Sequence, residues 1–353
     1  MQVPLSRPDI TELEIAAVTE VLRGSQLSLG PRLEEFEARV AAVAGVPHGI
    51  AVSSGTAGLH LVVMALGIGA GDEVIVPSFT FIAAANAIRY EGATPVFVDI
   101  DAATLNLDPA CVERAITPRT RAIMAVHTFG VPAPMEALEA IARRHSLSLI
   151  EDACEAIGAA HQGRPAGSFG DAAVFAFYPN KQITTGEGGM VVTRNPHLAR
   201  EIRALRNQGR YPSDAWHQHS ILGFNYRLSE INCALGCAQM QRLDEILASR
   251  AGVAATYERH LRSLADVELL PRAGAGDRIS WFVYVVRLGA GPDAALRDRV
   301  AASLVARGVG CGRYFAPHPS AARVRRLAFA AYTARHRSRE PPHAGSAVLH
   351  ATC

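Results

Sequence analysis

Between residues 48 and 194 the sequence alternates between short β-rich runs and helix-period stretches. No other feature constrains the fold as much. The runs HGIAVS, EVIVP, TPVFVDI, RAIMAVH, LSLIED, AAVFAF and GGMVVT are the expected strands. Helices are expected over 56–66, over 83–90, from Asp108 onward, and over 134–145, where Met135, Leu138 and Ile141 share a face. The apolar runs do not alternate with polar residues as they would in a half-exposed sheet, so both faces of the sheet must be covered. This βαβα order predicts an α/β fold whose mainly parallel sheet is flanked by helices.

Helical signals return over 196–207 and, as one long element, over 229–250. ISWFVYVVRL then reads as a strand and 293–307 as a helix, which opens a smaller α+β C-terminal domain. The expected division is a large domain over 1–245, a small and incomplete domain over 246–317, and a tail over 318–353. A chain of 353 residues is long enough for one large and one smaller domain. The tail is rich in Arg, Ala and His and shows neither a sustained period nor capping signals. It reads as disordered, or as a replaced C-terminus.

Charge and cysteine usage narrow the function classes. From His318 onward, six arginines face one acid, Glu340, a net +5 against +2 for the whole chain, so the rest carries about −3. The body of the protein therefore has no basic footprint for nucleic acid. No apolar run reaches the ~18 residues that would span a bilayer, and MQVPLSRPDITELE lacks the layout of a signal peptide. The six cysteines form no CxxC pair and no Cys/His cluster of zinc spacing, and they read as free thiols in a reducing compartment. A cytoplasmic enzyme is the expectation.

The chemistry concentrates in three stretches. Of 35 basic residues only Lys181 is a lysine, in FAFYPNKQITTGEGG. Arginine has no accessible neutral form, whereas a buried lysine can lose its proton and act as a nucleophile. Lys181 follows the strand AAVFAF, at the sheet edge where α/β enzymes place their sites. In IEDACEA, Asp152 ends a buried strand, where a carboxylate needs a partner; it either caps the next segment or faces a cofactor nitrogen. In SSGTAGLH a strand runs into a helix N-terminus. There Gly55 lets the backbone approach closely, and the Thr56 and Ala57 amides are free to bind a phosphate. GIGAGDE precedes a strand where a dinucleotide loop would follow one, so it is read as a turn. A phosphate cup, a strand-end carboxylate and one lysine together fit pyridoxal 5'-phosphate. His127 is open between lining the site and packing as a hydrogen-bonded residue, His217 and His219 read as loop residues, and Glu187 reads as ordering the turn after Lys181.

With these residues in place, SGTAGLH, VPSFTFIAAANAI, TPVFVDID, EDACEAIGA, GSFGDAAVFAFYPNKQITTGEGGMVVT and LGFNYRLSEINCALG resemble the DegT/DnrJ/EryC1/StrS sugar aminotransferases. These are fold-type I pyridoxal-phosphate enzymes, and the likeness runs from about Pro4 to about Pro317. The resemblance implies that Lys181 carries the cofactor and shuttles a proton, and that Asp152 pairs with the pyridinium nitrogen. It implies that Glu155 neighbours the ring hydroxyl, where the family often has glutamine, and that Phe81 stacks on the ring. Gly55, Thr56 and Ala57 would bind the phosphate. Asn225 would reach the neighbouring subunit's phosphate, so a homodimer with shared active sites is implied. Two departures stand out: Ala176 occupies a position where many members have a phosphate-binding serine, and the C-terminal tail does not follow the family pattern.

TTGEGG resembles the perosamine-synthase-like branch, which aminates C-4 of nucleotide-linked 4-keto-6-deoxyhexoses, with glutamate the expected amino donor. The altered C-terminus leaves an alternative: a protein that binds the cofactor but is catalytically impaired.

Overall fold

The computed structural model describes residues 2–270, 273–288, 294–314 and 348–351. Helices α1 (Glu12–Arg23) and α2 (Pro31–Ala44) precede β1 (His48–Val52). The chain continues through α3 (Gly55–Ala65), β2 (Glu73–Pro77), α4 (Ile82–Tyr90), β3 (Thr94–Val98), α5 (Pro109–Ala115) and β4 (Thr120–Val126). A 3-10 turn (Thr128–Gly130), α6 (Met135–Arg144) and β5 (Ser148–Asp152) follow. A hairpin of β6 (Ala160–His161) and β7 (Arg164–Pro165) leads to β8 (Ala172–Ala176), β9 (Gly189–Thr193), α7 (Pro196–Arg206), α8 (Glu230–Gln241) and α9 (Leu243–Leu261). The later described elements are β10 (Val267–Leu270), β11 (Tyr284–Leu288), α10 (Ala294–Ala306), β12 (Gly312–Arg313) and β13 (Val348–Ala351).

The large sheet has seven strands in the order β1-β9-β8-β5-β4-β2-β3. Its pairings are parallel except the two that β9 makes, with β1 and with β8. The expected mainly parallel, doubly covered sheet is therefore present. Successive residues of a strand point to opposite faces, and both sets are buried. Ile50, Val52, Val74 and Val76 pack with Leu59, Val62 and Val63 of α3 and with Ile202 of α7. Ala51, Phe175 and Met190 face Phe36 and Val40 of α2 and Cys233 and Cys237 of α8. Ile75 and Ile123 meet Met135, Leu138 and Ile141, the predicted face of α6.

Local capping starts the helices that return from the strands. The Asp108 side chain accepts from the Ala110 amide, with Pro109 at the first helical position of α5. Asn195 accepts from the His197 and Leu198 amides, with Pro196 opening α7. Each cap satisfies amides that the helix cannot.

Three expectations need correction. The long helix over 229–250 is two helices that meet at Arg242, and the second runs on to Leu261. At the break the Arg242 guanidinium donates to Asp9, Glu14 and Glu245, which draws the end of α8 onto the N-terminal segment. The strand read from ISWFVYVVRL begins only at Tyr284, because Trp281 takes a left-handed φ of 26° and the Ser280 amide donates to the Gly130 carbonyl in the turn after β4. Residues 348–351, expected to lie in an irregular tail, pair with both β11 and β12 in a four-stranded sheet of order β10-β11-β13-β12. Strand pairing draws on main-chain donors and acceptors, which every sequence other than proline supplies. The rest of the expected tail, and Cys353, lies outside the described residues.

The expected boundary at 245 falls inside α9. Val3 forms an isolated parallel bridge with Val309, so the first described residues pair with the connection between α10 and β12. Among the described residues, no helix is long and apolar enough to cross a membrane.

Candidate active site

Lys181 sits between strands, in the segment 177–188 that joins β8 to β9. Its amide donates to the Tyr178 carbonyl (2.9 Å), and its own carbonyl accepts from Arg250 Nη2 (3.1 Å). The side chain is 14% exposed. Its Nζ lies 3.3 Å from Glu155 Oε1 and 4.0 Å from the centroid of the Phe282 ring. The amine is therefore held by one carboxylate and one aromatic face.

Glu155 follows β5. Its Oε2 accepts from the Phe129 amide (2.9 Å), which is aimed by a left-handed φ of 58° at Phe129. Burial pushes the Glu155 pKa up, and the attraction of Lys181 and the Phe129 amide offsets only part of this. Asp152 is the last residue of β5 and is buried; its Oδ1 accepts from the Cys154 amide (3.2 Å). Burial likewise pushes its carboxyl upward. A buried carboxyl in this state is matched by a group that brings both a proton and positive charge.

At the start of α3 the Ser54 hydroxyl accepts from the Ala57 amide (3.1 Å). The expectation that Thr56 and Ala57 both present free amides is thus corrected: the cap takes Ala57, and the amides of Gly55 and Thr56 have no intrahelical acceptor. A Cβ on Gly55 would lie 2.8 Å from both Ala176 Cβ and Cys154 Sγ, and one on Gly189 would meet the Ser54 carbonyl at 2.6 Å. The helix N-terminus is therefore pressed against the ends of β8 and β9, beside the residues that follow Asp152.

The remaining predicted residues lie further out. Phe81 is the N-cap of α4 and is 60% exposed. Asn225 is exposed and bridges Asn207. No described hydrogen bond or ring contact joins either to Lys181. His127 resolves as a packed residue: it is fully buried, its Nδ1 accepts from the Ala133 amide (2.9 Å), and its Nε2 lies 3.0 Å from Glu151 Oε2. Because Nδ1 accepts a backbone amide, Nε2 carries the proton and donates to Glu151. His219 bonds the Gln208 carbonyl within its loop. Glu187 is exposed and orders its turn through its carbonyl, which accepts from Thr185 Oγ1 (2.7 Å).

Sequence reasoning missed four residues that surround the amine. Arg250 and Phe282 touch Lys181 directly. Gln182 Nε2 donates to the carbonyls of Glu155 and Ser280. Tyr314 packs on Phe129 and Phe282. Only Gln182, adjacent to the lone lysine, had a local signal.

The donor set fits pyridoxal phosphate. A buried amine, a strand-end carboxyl suited to a protonated ring nitrogen, and a glycine-lined helix N-terminus converge on one sheet edge. Thr80 Oγ1 and Asn180 Oδ1, each next to a predicted site residue, are buried without a hydrogen-bond partner, as expected where a polar group is to be received.

Comparison with known proteins agrees. The family described as DegT/DnrJ/EryC1/StrS aminotransferases matches residues 8–337. The chain is 48% identical over 290 residues to a GDP-perosamine synthase of Caulobacter vibrioides, covering 82% of this chain and 78% of the relative. Among solved structures, DesV of S. venezuelae superposes with a TM-score of 0.84 at 35% identity, covering 98% of this chain and 93% of that one. Spr1654 of Streptococcus pneumoniae in its PLP-form superposes with a TM-score of 0.89 at 26% identity, covering 100% and 93%. The chain belongs to the DegT/DnrJ/EryC1/StrS aminotransferase family and is a fold-type I, pyridoxal-phosphate-dependent sugar aminotransferase.

Proposed function

We propose that this enzyme places an amino group on C-4 of a nucleotide-linked 4-keto-6-deoxyhexose, takes it from glutamate, and works as a homodimer with shared sites. Similarity to a GDP-perosamine synthase supports C-4, because perosamine carries its nitrogen there, and it favours GDP as the nucleotide. The TTGEGG stretch after Lys181 supports the same branch.

The observation that carries the catalytic reading is the placement of Lys181 Nζ, mostly buried and 3.3 Å from Glu155, on the sheet edge that also presents Asp152 and the start of α3. Pyridoxal phosphate, when bound, carries the amino group from donor to sugar and accepts the electrons released at the reacting carbon. Lys181 would hold the cofactor at rest, and its Nζ would be the base that takes the proton from the donor Cα and the acid that gives it back, serving the sugar half-reaction in the same way. Asp152 would keep a proton on the ring nitrogen, Glu155 would lie toward the ring hydroxyl, and Phe81 would stack on the ring. The open amides of Gly55 and Thr56 would receive the phosphate at the helix N-terminus, which the Ser54 cap on Ala57 holds in place and where Ala176 supplies no hydroxyl. Asn225, being exposed, is free to reach the phosphate held by a second copy of the chain.

The test is a purified enzyme supplied with glutamate and a panel of nucleotide-linked 4-keto and 3-keto sugars, with the aminated carbon identified in the product. Amination at C-4 and loss of turnover in Lys181→Ala are expected. Amination at C-3 would overturn the regiochemistry. Cofactor binding with no change of its absorbance on adding glutamate or other amino acids would favour a binder without catalysis.

A further inference from the structure

Lys181 lies where the sheet no longer holds the chain: β8 has ended at Ala176 and β9 begins only at Gly189. A main-chain carbonyl in such a segment needs a partner from elsewhere. Here the partner is Arg250 of α9, 69 residues away in sequence. Its Nη2 donates to the Lys181 carbonyl (3.1 Å), and its Nη1 donates to the carbonyls of Trp281 and Phe282 (3.2 Å each). One planar guanidinium thus joins three main-chain carbonyls, a geometry that an ammonium cannot reproduce.

What Arg250 grips at its far end is the surface under the amine. Phe282 is 1% exposed, and its ring centroid lies 4.0 Å from Lys181 Nζ. The segment that presents this ring is strained, because Trp281 holds a φ of 26° that bulky residues avoid. It is pinned from several sides. Gln182 Nε2 donates to the Ser280 carbonyl (2.8 Å) and hydroxyl (2.9 Å), and the Ser280 amide donates to the Gly130 carbonyl (2.9 Å). A Cβ on Gly130 would approach the Ser280 carbonyl carbon at 3.1 Å.

We propose that Arg250 is a positioning residue for the transamination: by tying the Lys181 carbonyl to those of Trp281 and Phe282, it holds the amine between the Glu155 carboxylate and the Phe282 ring. The inference rests on Lys181 being the cofactor-bearing lysine. The bland alternative is a simple tether between the small sheet and the large one. A tether would contribute to stability without tuning the amine.

Two substitutions in the holoenzyme separate these readings. Arg250→Lys keeps the charge and loses the fork; Arg250→Met keeps the apolar stem and loses both. The readouts are the pH titration of the visible absorbance of the lysine-bound cofactor and cofactor retention on dilution. The groups whose charge bears on this titration are Glu155, Asp152, Cys154 and, through Glu155, Tyr314, which no variant alters, and the Arg250 guanidinium itself, which only the methionine variant removes. Both variants are expected to move the midpoint of this titration, because the nitrogen of Lys181 is no longer held at its distance from the Glu155 carboxyl and the Phe282 ring. Both are expected to hold the cofactor about tenfold less tightly. A shift in the methionine variant alone would assign the effect to charge and overturn positioning, and wild-type behaviour in both variants would overturn it as well. If neither variant folds, Phe282→Leu, which keeps a buried side chain but removes the ring, must shift the same titration; an unmoved midpoint sinks the proposal. Lys181→Ala is run in parallel. If it keeps the visible band, the lysine assignment has failed rather than the role of Arg250.

Discussion

Replacing Glu151 by glutamine changes one atom, yet the structure predicts a large cost. Glu151 lies beside Asp152 in β5 and is fully buried. Its Oε1 accepts from the Phe169 (2.8 Å) and Gly170 (3.1 Å) amides, and its Oε2 accepts from the Gly167 amide (2.8 Å) and from His127 Nε2 (3.0 Å). Four donors converge on two oxygens. A glutamine has one acceptor oxygen and one NH₂ group, so in either orientation two donors lose their acceptor and face another donor. His127 cannot escape by changing tautomer, because its Nδ1 already accepts from Ala133. An orphaned buried donor costs about 1–3 kcal/mol, so Glu151→Gln should lose about 2–6 kcal/mol of the roughly 5–15 kcal/mol that holds a domain folded. The pH dependence provides a second check. Burial raises the Glu151 pKa, but His127 and the amides outweigh it and hold the carboxyl below its ordinary value. A lowered carboxylate pKa stabilises the fold above the ordinary carboxylate range, and that stability is lost as pH falls through the folded value. The variant should lack this acid-dependent component. Urea unfolding of both proteins at neutral and at acidic pH measures both effects. A loss below about 0.5 kcal/mol at neutral pH, the scatter of an ordinary surface change, would refute the reasoning.

Three further outcomes follow from the same geometry. Burial raises the Asp152 pKa, so its charged form costs the cofactor-free protein stability as pH rises through the folded value. Asp152→Asn should then melt, without cofactor, no lower than wild type at neutral pH, while turnover falls by about a hundredfold or more. Gly55→Ala should cost about 1–3 kcal/mol and weaken cofactor binding, since its Cβ would sit 2.8 Å from Ala176 Cβ and Cys154 Sγ; calorimetry and cofactor titration read the two effects. Glu14 ties α1 to α8: Thr11 donates to it through amide and hydroxyl, and Gln239 and Arg242 donate to its other oxygen. Although burial raises its pKa, these donors lower it to about 2. Its stabilisation is therefore present above ~4.3 and lost as pH falls toward 2. Glu14→Gln should cost about 1–3 kcal/mol at neutral pH and flatten the stability profile across that window, as measured by denaturation at several pH values.

The strands and helices of the large sheet were legible because their signals are local. EVIVP and GGMVVT are short apolar runs with no polar alternation, and the structure buries them on both faces. Asp108 and Asn195 announce the helices they cap. The break at Arg242 was not legible, because nothing in QRLDE interrupts a helix; its ion partners Asp9 and Glu14 lie more than 220 residues upstream. The shortened strand after Ile279 has the same cause, since the strain at Trp281 is imposed by the loops it docks on and not by its own propensity.

The sequence by itself singled out the amine, the strand-end carboxylate and the helix N-terminus, because each carries a chemical signature in its own neighbourhood: one lysine among arginines, an acid ending an apolar run, a glycine between strand and helix. Tertiary structure alone decided how the amine is held. Glu155, Arg250 and Phe282 reach Lys181 from the loop after β5, from α9 and from the strained entry to β11. Contacts between segments this distant depend on the closing of the sheet and on the angle at which α9 leaves α8. Neither quantity has a period or a composition that a linear sequence displays.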